Sequence, residues 1–152
     1  AFWHALKHEP PADDSSDAPD LRQAGLRRTV QREAILRVLE ASDRPLSVED
    51  IRARMMGKRP GIPTIYRNLE RFAHEGWAEA LVGDDQVARF VRCRSSHHHH
   101  HLVCEGCGRA VEVDACGLLG SLEEIEQATG FKLTRHVLNL FGTCPACQRN
   151  RA

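Results

Sequence analysis

Two Cys-x-x-Cys pairs, Cys104-Glu-Gly-Cys107 and Cys144-Pro-Ala-Cys147, stand towards the C-terminal end of this chain. A two-residue spacer lets both sulfurs of a pair reach one ion. Two such pairs supply the four soft ligands of a closed tetrahedral Zn²⁺ shell. Five consecutive histidines, His97, His98, His99, His100 and His101, precede the first pair and have no place in that shell. They imply a second metal site, and so metal as a signal as well as a brace. Imidazole suits Zn²⁺, Cu²⁺, Ni²⁺ or Fe²⁺. The bland alternatives are an expression tag and a polar loop. Tags sit at termini, whereas this run is internal and leads into a strand-like segment.

In an extended segment successive side chains point to opposite faces. His97, His99 and His101 then share one face, and His98 and His100 the other, so one run can serve two sites. For the first face, Cys93 lies just upstream and belongs to no pair, leaving it free to join His99 and His101. Glu79 is a candidate carboxylate to complete four ligands. A site built this way bridges two parts of the chain. For the opposite face, His136 is the remaining histidine of this half, and Glu123 or Glu124 is a candidate carboxylate. His4, His8 and His74 stand alone and are read as having no metal role.

The elements that must position these groups can be read from capping residues and periodicity. Residues 9–19 are polar, acidic and Pro-rich and read as a flexible arm. Residues 20–26 suggest a short helix ending at Gly25. Thr29 is an N-cap, and Val30, Ala34, Ile35, Val38 and Leu39 recur at helical spacing to about Ala41. Ser47, with Asp50 three residues on, caps a second helix whose buried stripe is Val48, Ile51 and Met55. Pro63 suits the first turn of a third, which runs through Ile65, Tyr66, Leu69 and Phe72 and stops near Gly76. Alternating segments at 77–82 and 87–91, separated by Gly-Asp-Asp, signal a hairpin. Three helices followed by a two-stranded ribbon make a winged helix-turn-helix. Beyond Cys93 the pattern changes: Leu102–Cys104, Ala110–Val113 and Phe131–Phe141 read as strands, with a helix over Leu118–Ala128. The expected organisation is α+β: an arm at 1–19, a winged helix at 20–92 and a metal-binding domain at 93–152.

In a helix-turn-helix, residues near the start of the second helix of the motif reach base edges in the major groove. The third helix presents Thr64, Tyr66, Arg67 and Asn68 there, with Arg71 further along. Arg67 has the geometry to bond guanine bidentately, and Tyr66 to meet a thymine methyl or a phosphate. Arg28, Gln31 and Arg32, at the start of an earlier helix, are candidate phosphate contacts. The alternative is a solvated polar face with Tyr66 partly in the core.

Formal net charge is zero over 152 residues, but its distribution is uneven. Segment 1–19 is acidic, with Glu9, Asp13, Asp14 and Asp17 against Lys7, whereas 20–77 carries an excess of Arg and Lys. A basic middle segment is compatible with DNA contact. No apolar run is long enough to cross a membrane, and Ala-Phe-Trp-His-Ala-Leu-Lys at the start does not read as a signal peptide. A cytoplasmic protein is expected, in which paired cysteines favour zinc over disulfides.

Taken with these residues, five motifs resemble those of the ferric uptake regulator family. They are Leu-Arg-Gln-Ala-Gly-Leu-Arg-Arg-Thr-Val-Gln-Arg (21–32), Pro-Thr-Ile-Tyr-Arg-Asn-Leu (63–69), His-His-His-His-His-Leu-Val-Cys-Glu-Gly-Cys-Gly (97–108), Gly-Phe (130–131) and Phe-Gly-Thr-Cys-Pro-Ala-Cys (141–147). The likeness spans about residues 20–148. It implies a homodimer with an N-terminal winged helix and a C-terminal α/β dimerisation domain, which binds palindromic double-stranded operator DNA and represses metal-uptake genes.

Phe-Val-Arg-Cys ahead of the histidines is most similar to the zinc uptake regulators, implying Zn²⁺ in both structural and regulatory roles. Residue by residue, the resemblance puts a structural zinc on Cys104, Cys107, Cys144 and Cys147, and a hinge sensor on Glu79, Cys93, His99 and His101. A third site falls on His98, His100 and His136. There the chain departs from the family, because Leu119 occupies the usual glutamate position. Glu123, one turn later, is the expected substitute, with Glu112 and Cys116 as further candidates.

Other readings remain open. The same scaffold serves iron, manganese or peroxide sensors, although a thiolate at Cys93 tilts the choice to zinc. A metal-dependent enzyme needs an open metal position with a nearby base, and neither His-Glu-x-x-His nor a deaminase motif is present. No small-molecule substrate and no membrane partner are expected. A metal store accounts for the histidines but not for Tyr66, Arg67 and the winged-helix pattern.

Overall fold

The computed structural model describes residues 19–95, 98–114 and 119–151. His97, Cys116, His4, His8 and most of the acidic arm lie outside them.

The helix starts are where the capping residues place them. Thr29 accepts a hydrogen bond from the Arg32 amide and opens α1 (Val30–Glu40). Ser47 and Asp50 form a reciprocal capping box, with bonds of 3.1 and 3.2 Å, at the start of α2 (Val48–Arg54). α3 (Ile62–His74) starts after Gly61 with Pro63 in its first turn, where a missing N–H costs nothing. Gly76, at φ 78°, turns the chain out of α3 into β1 (Ala78–Val82). That strand pairs antiparallel with β2 (Ala88–Arg92), Ala80 opposite Phe90.

Ile35, Leu39, Ile51, Ile65, Leu69 and Phe72 from the three helices bury against Phe90 of the ribbon and form the core. Three helices with a two-stranded wing are the expected winged helix-turn-helix. One expectation in this half fails. Residues 21–25 make a turn rather than a helix, closed by the Asp20 carboxylate and the Leu26 amide to Leu21 carbonyl bond. Gly25, at φ 69°, ends it before a second turn can form.

A separate three-stranded sheet follows, in the order β4-β3-β5. β3 (His100–Cys104) lies at its centre, antiparallel to β4 (Ala110–Val113) and parallel to β5 (Asn139–Gly142). α4 (Leu119–Thr129) lies in the connection from β4 to β5, and α5 (Pro145–Asn150) closes the chain. The fold is α+β.

The strand expected over Phe131–Phe141 is confined to its end, and residues 131–138 belong to no helix or strand. A strand needs a neighbour to accept and donate its backbone hydrogen bonds, and among the described residues no strand pairs with this segment. Phe131 and Val137 are 73% and 69% exposed, and Ile125, Leu133, Leu140 and Phe141 are exposed too. This half therefore leaves an apolar face uncovered.

Candidate metal centres

β3 carries His100 and His101 on opposite faces, as strand geometry requires, and His98 and His99, just before it, join His100 and His101 respectively. His101 faces the ribbon. Its Nδ1 lies 2.5 Å from Glu79 of β1, and His99 and Cys93 complete a group whose ligand atoms all lie within 4.8 Å of one another. Cys93 follows β2 and is held by its amide to the Trp77 carbonyl, directly beside the hairpin that carries Glu79. The group thus draws on the ribbon, on the segment after it and on the second sheet. Cys93 and His101 are buried, and His101 Nε2 makes no hydrogen bond among the described residues. A buried polar atom without a partner is costly, and a cation is the partner that this donor set fits.

The electrostatics point the same way. Burial pushes the Cys93 thiol up to about 12, reinforced by the charges of Glu79 and Glu112. Burial also raises the Glu79 carboxyl, but the hydrogen bond from His101 and the nearby histidine charges outweigh it and hold it below its ordinary value. One thiol, two imidazoles and a carboxylate suit Zn²⁺.

Glu112 on β4 is the residue that sequence reasoning misplaced. Expected as a substitute ligand for the third site, it faces the hinge group instead, 3.8 Å from His99 Nε2 and 3.9 Å from His101 Nε2. It also accepts from the backbone amides of Arg94 and Ser95 at 2.5 and 3.1 Å. The cause is the register: β4 pairs with β3 so that Glu112 stands opposite His101.

Further contacts tie the two sheets' surroundings together. The Ala110 amide donates to the Asp43 carbonyl at 2.8 Å. Arg92, buried, reaches Glu40 at 3.3 Å and donates to the Trp77 and Cys93 carbonyls.

Cys104, Cys107, Cys144 and Cys147 come together at the other end of β3 and the start of α5. The Cys107 and Cys144 sulfurs are 3.8 Å apart. With Zn–S bonds of about 2.3 Å, the edge of a tetrahedral sulfur shell is about 3.8 Å. The Cys144 amide donates to Cys104 Sγ at 3.2 Å; together with a bond from the Cys107 amide this lowers the Cys104 thiol to about 6. Hydrogen bonds with the Cys144 and Cys104 sulfurs push Cys147 up to about 12. Four thiols this close need a cation before all can ionise.

Gly106 permits the approach: a Cβ there would stand 2.9 Å from Cys147 Sγ. Gly106→Ala is expected to weaken zinc retention by roughly tenfold or more, the range for changes just outside a metal shell. Competition with a chromophoric chelator measures it, and unchanged retention would show that the knuckle relaxes freely.

His98, His100 and His136 form the third group. Glu123, expected to supply its carboxylate, is exposed on α4 and does not belong to it. Glu124 is likewise exposed and absent from it.

On α3, Tyr66 and Arg67 are exposed, and the Tyr66 ring meets Phe90 edge-on at 6.1 Å. Tyr66 is therefore half anchored to the wing. Asn68 and Arg32 are less available than the pattern suggests. Arg32 Nε donates to Asn68 Oδ1 at 3.0 Å, and Asn68 Nδ2 donates to the Thr64 carbonyl at 2.9 Å, tying α1 to α3. Arg28 is exposed and paired with Glu33. No helix among the described residues is long and apolar enough to cross a membrane.

Comparison with known proteins agrees with this architecture. The chain is 36% identical over 135 residues to the peroxide operon regulator of Bacillus subtilis, covering 85% of this chain and 89% of that one. It is 37% identical over 127 residues to the zinc uptake regulation protein of Mycobacterium tuberculosis, covering 82% and 97%. Among solved structures, a zinc uptake regulator complexed with zinc and DNA superposes with a TM-score of 0.69 at 26% identity, covering 86% of this chain and 89% of that one. The sequence model of the ferric uptake regulator family matches residues 23–141. The chain belongs to the ferric uptake regulator family of metal-responsive repressors.

Proposed function

We propose that this chain is a zinc-sensing repressor of metal-uptake genes, acting in the cytoplasm as a homodimer on palindromic operator DNA. The observation that carries this reading is the position of Cys93. A thiolate among the hinge ligands selects for zinc over iron or manganese, because soft donors disfavour the harder ions. Glu79 comes from the ribbon, Cys93 from just after it, and His99 and His101 from further along the C-terminal unit, so a metal held there fixes the winged helix (20–92) against that unit (93–152). Arg67 and Tyr66, exposed on α3, read bases; Thr64 lies beside them. Arg28 and the Arg32–Asn68 pair hold the phosphate-side surface.

The cysteine quartet takes a structural zinc. The exposed apolar residues Phe131, Leu133 and Val137, on backbone that joins no sheet among the described residues, are where a second copy adds its strand. A zinc uptake regulator complexed with zinc and DNA has the same architecture, which supports the reading without deciding the metal.

The peroxide operon regulator of B. subtilis is similar to a comparable extent, so a peroxide, iron or manganese sensor is the competing reading. Fluorescence anisotropy on an AT-rich palindromic operator separates them, titrating buffered free Zn²⁺ against Fe²⁺ and Mn²⁺. The expected result is tight binding at a free zinc concentration far below that of either competitor. Activation by iron or manganese at lower concentration overturns the zinc assignment.

A further inference from the structure

The winged helix also meets the C-terminal unit at a place where none of the hinge side chains takes part. α1 ends at Glu40, and the turn after it is braced by Ser42, whose hydroxyl donates to the Arg44 carbonyl at 2.9 Å and accepts from its amide at 3.2 Å. The Asp43 carbonyl, within that turn, accepts from the Ala110 amide at 2.8 Å. Among the described residues β4 is an edge strand, bonded in its sheet to β3 alone. The Cys104 amide bonds the Arg109 carbonyl across the Val103–Ala110 pair, so the Ala110 N–H points away from β3 to the open edge. An edge amide is a docking point for another segment's carbonyl, and here the winged helix supplies it. The Arg44 stem lies beside Gly108 in the turn before β4.

Glu40 adds charge to the contact. Arg94, just past the ribbon, stands 3.7 Å from its carboxylate and 3.4 Å from its carbonyl, at the end of α1 where a cation is favoured. Buried Arg92 holds the same carboxylate at 3.3 Å. The Arg94 amide in turn donates to Glu112 of β4, the carboxylate beside the hinge histidines. The contact is continuous with the hinge but uses none of its metal-ligating groups.

We infer that Glu40 with Arg94, and Asp43 with Ala110, form a metal-free latch that sets the free-metal concentration at which the protein switches. The inference rests on the reading that a hinge metal controls operator binding. Latch and hinge residues are assembled in one arrangement of the chain, so each favours the other, and coupling between two sites is reciprocal. A winged helix already docked part of the time needs less metal to be fixed, because apparent affinity scales with the fraction already competent. Loosening the latch moves the metal threshold and leaves the ligand set unchanged.

The test uses the full chain, Glu40→Ala and Ala110→Pro. Proline suits an edge strand where its missing N–H faces outward, so Ala110→Pro removes one bond of the latch. With one equivalent of Zn²⁺, the Ala110 amide of the parent chain should be protected from hydrogen exchange. Glu40→Ala should speed its exchange about tenfold or more, while the Cys104 amide, internal to the β3–β4 hairpin, stays protected. In operator anisotropy both variants should need roughly threefold to tenfold more free zinc for half-binding, the scale of one hydrogen bond, and reach the parent's affinity at saturating zinc. If the Cys104 amide loses protection in Ala110→Pro, Glu40→Ala alone decides.

An Ala110 amide that exchanges freely in the parent, or equally slowly in Glu40→Ala, overturns the latch. So does an unmoved zinc midpoint in both variants when the parent switches. Lower affinity at saturating zinc with an unmoved midpoint shows damage to the reading surface and overturns the threshold role. A parent chain that does not answer to zinc defeats the zinc reading instead, and the Ala110 exchange rate still decides the latch.

Discussion

Replacing Cys93 with alanine should leave operator affinity nearly indifferent to zinc. Cys93 is one of the four residues grouped at the proposed hinge site, held beside Glu79 by the Trp77 carbonyl. Removing its sulfur leaves two imidazoles and a carboxylate, an open three-ligand set without the thiolate that closes the tetrahedron and ties the metal to the segment after the ribbon. If the hinge metal supplies about 3 kcal/mol of coupling, the variant loses roughly a 150-fold zinc response, at the upper end of ordinary allosteric energies. Anisotropy with and without zinc measures it.

Arg67→Ala is the contrasting variant. It should weaken DNA binding by about 1–3 kcal/mol at every zinc concentration, because it touches the reading surface rather than the switch. The hinge assignment fails if Cys93→Ala still switches like the parent chain.

Replacing Cys104 with serine should have the larger effect on structure. A closed zinc shell contributes about 10–16 kcal/mol of apparent binding free energy, which is folding free energy where the site does not pre-exist. The C-terminal half has little else. Cys104 is its one buried apolar residue among those described beyond residue 95, whereas the winged helix buries Phe72, Phe90, Ile35, Leu39 and others. The expected outcome is a chain whose first half still melts cooperatively while the second exchanges its amides freely and no longer dimerises. Hydrogen exchange and size-exclusion chromatography read both. A stable dimer lacking one zinc would show that the knuckle is dispensable.

Much of this arrangement is legible in the sequence because it rests on local chemistry. The Thr29 and Ser47 caps, the Pro63 start and the Cys-x-x-Cys spacings each act within a few residues. The sorting of His98 and His100 from His99 and His101 needs only the two-residue period of a strand. What is not legible depends on partners distant in the chain. Glu112 reaches the hinge because β4 pairs with β3 in one register, and a one-residue slip would turn it away.

Arg32 and Asn68 look like free contacts until α1 and α3 pack together. Residues 131–138 read as a strand in the sequence but join no sheet among the described residues. Glu123 was placed by helical spacing from a family position, and spacing along α4 does not say which way the helix faces. The turn at 21–25 fails as a helix because one turn cannot repay its own nucleation.

The burial of the hinge ligands also sets a clock. Cys93 and His101 have almost no solvent-exposed surface, while the Glu79 side chain is 29% exposed, so a metal ion seated among them would leave past the carboxylate side. Residence time then follows how readily the groups around it, Glu79 and Glu112 among them, move aside, and not bond strength alone. Two such proteins with equal zinc affinity but different grip by Glu112 on the Arg94 and Ser95 amides would repress to the same depth and recover at different speeds.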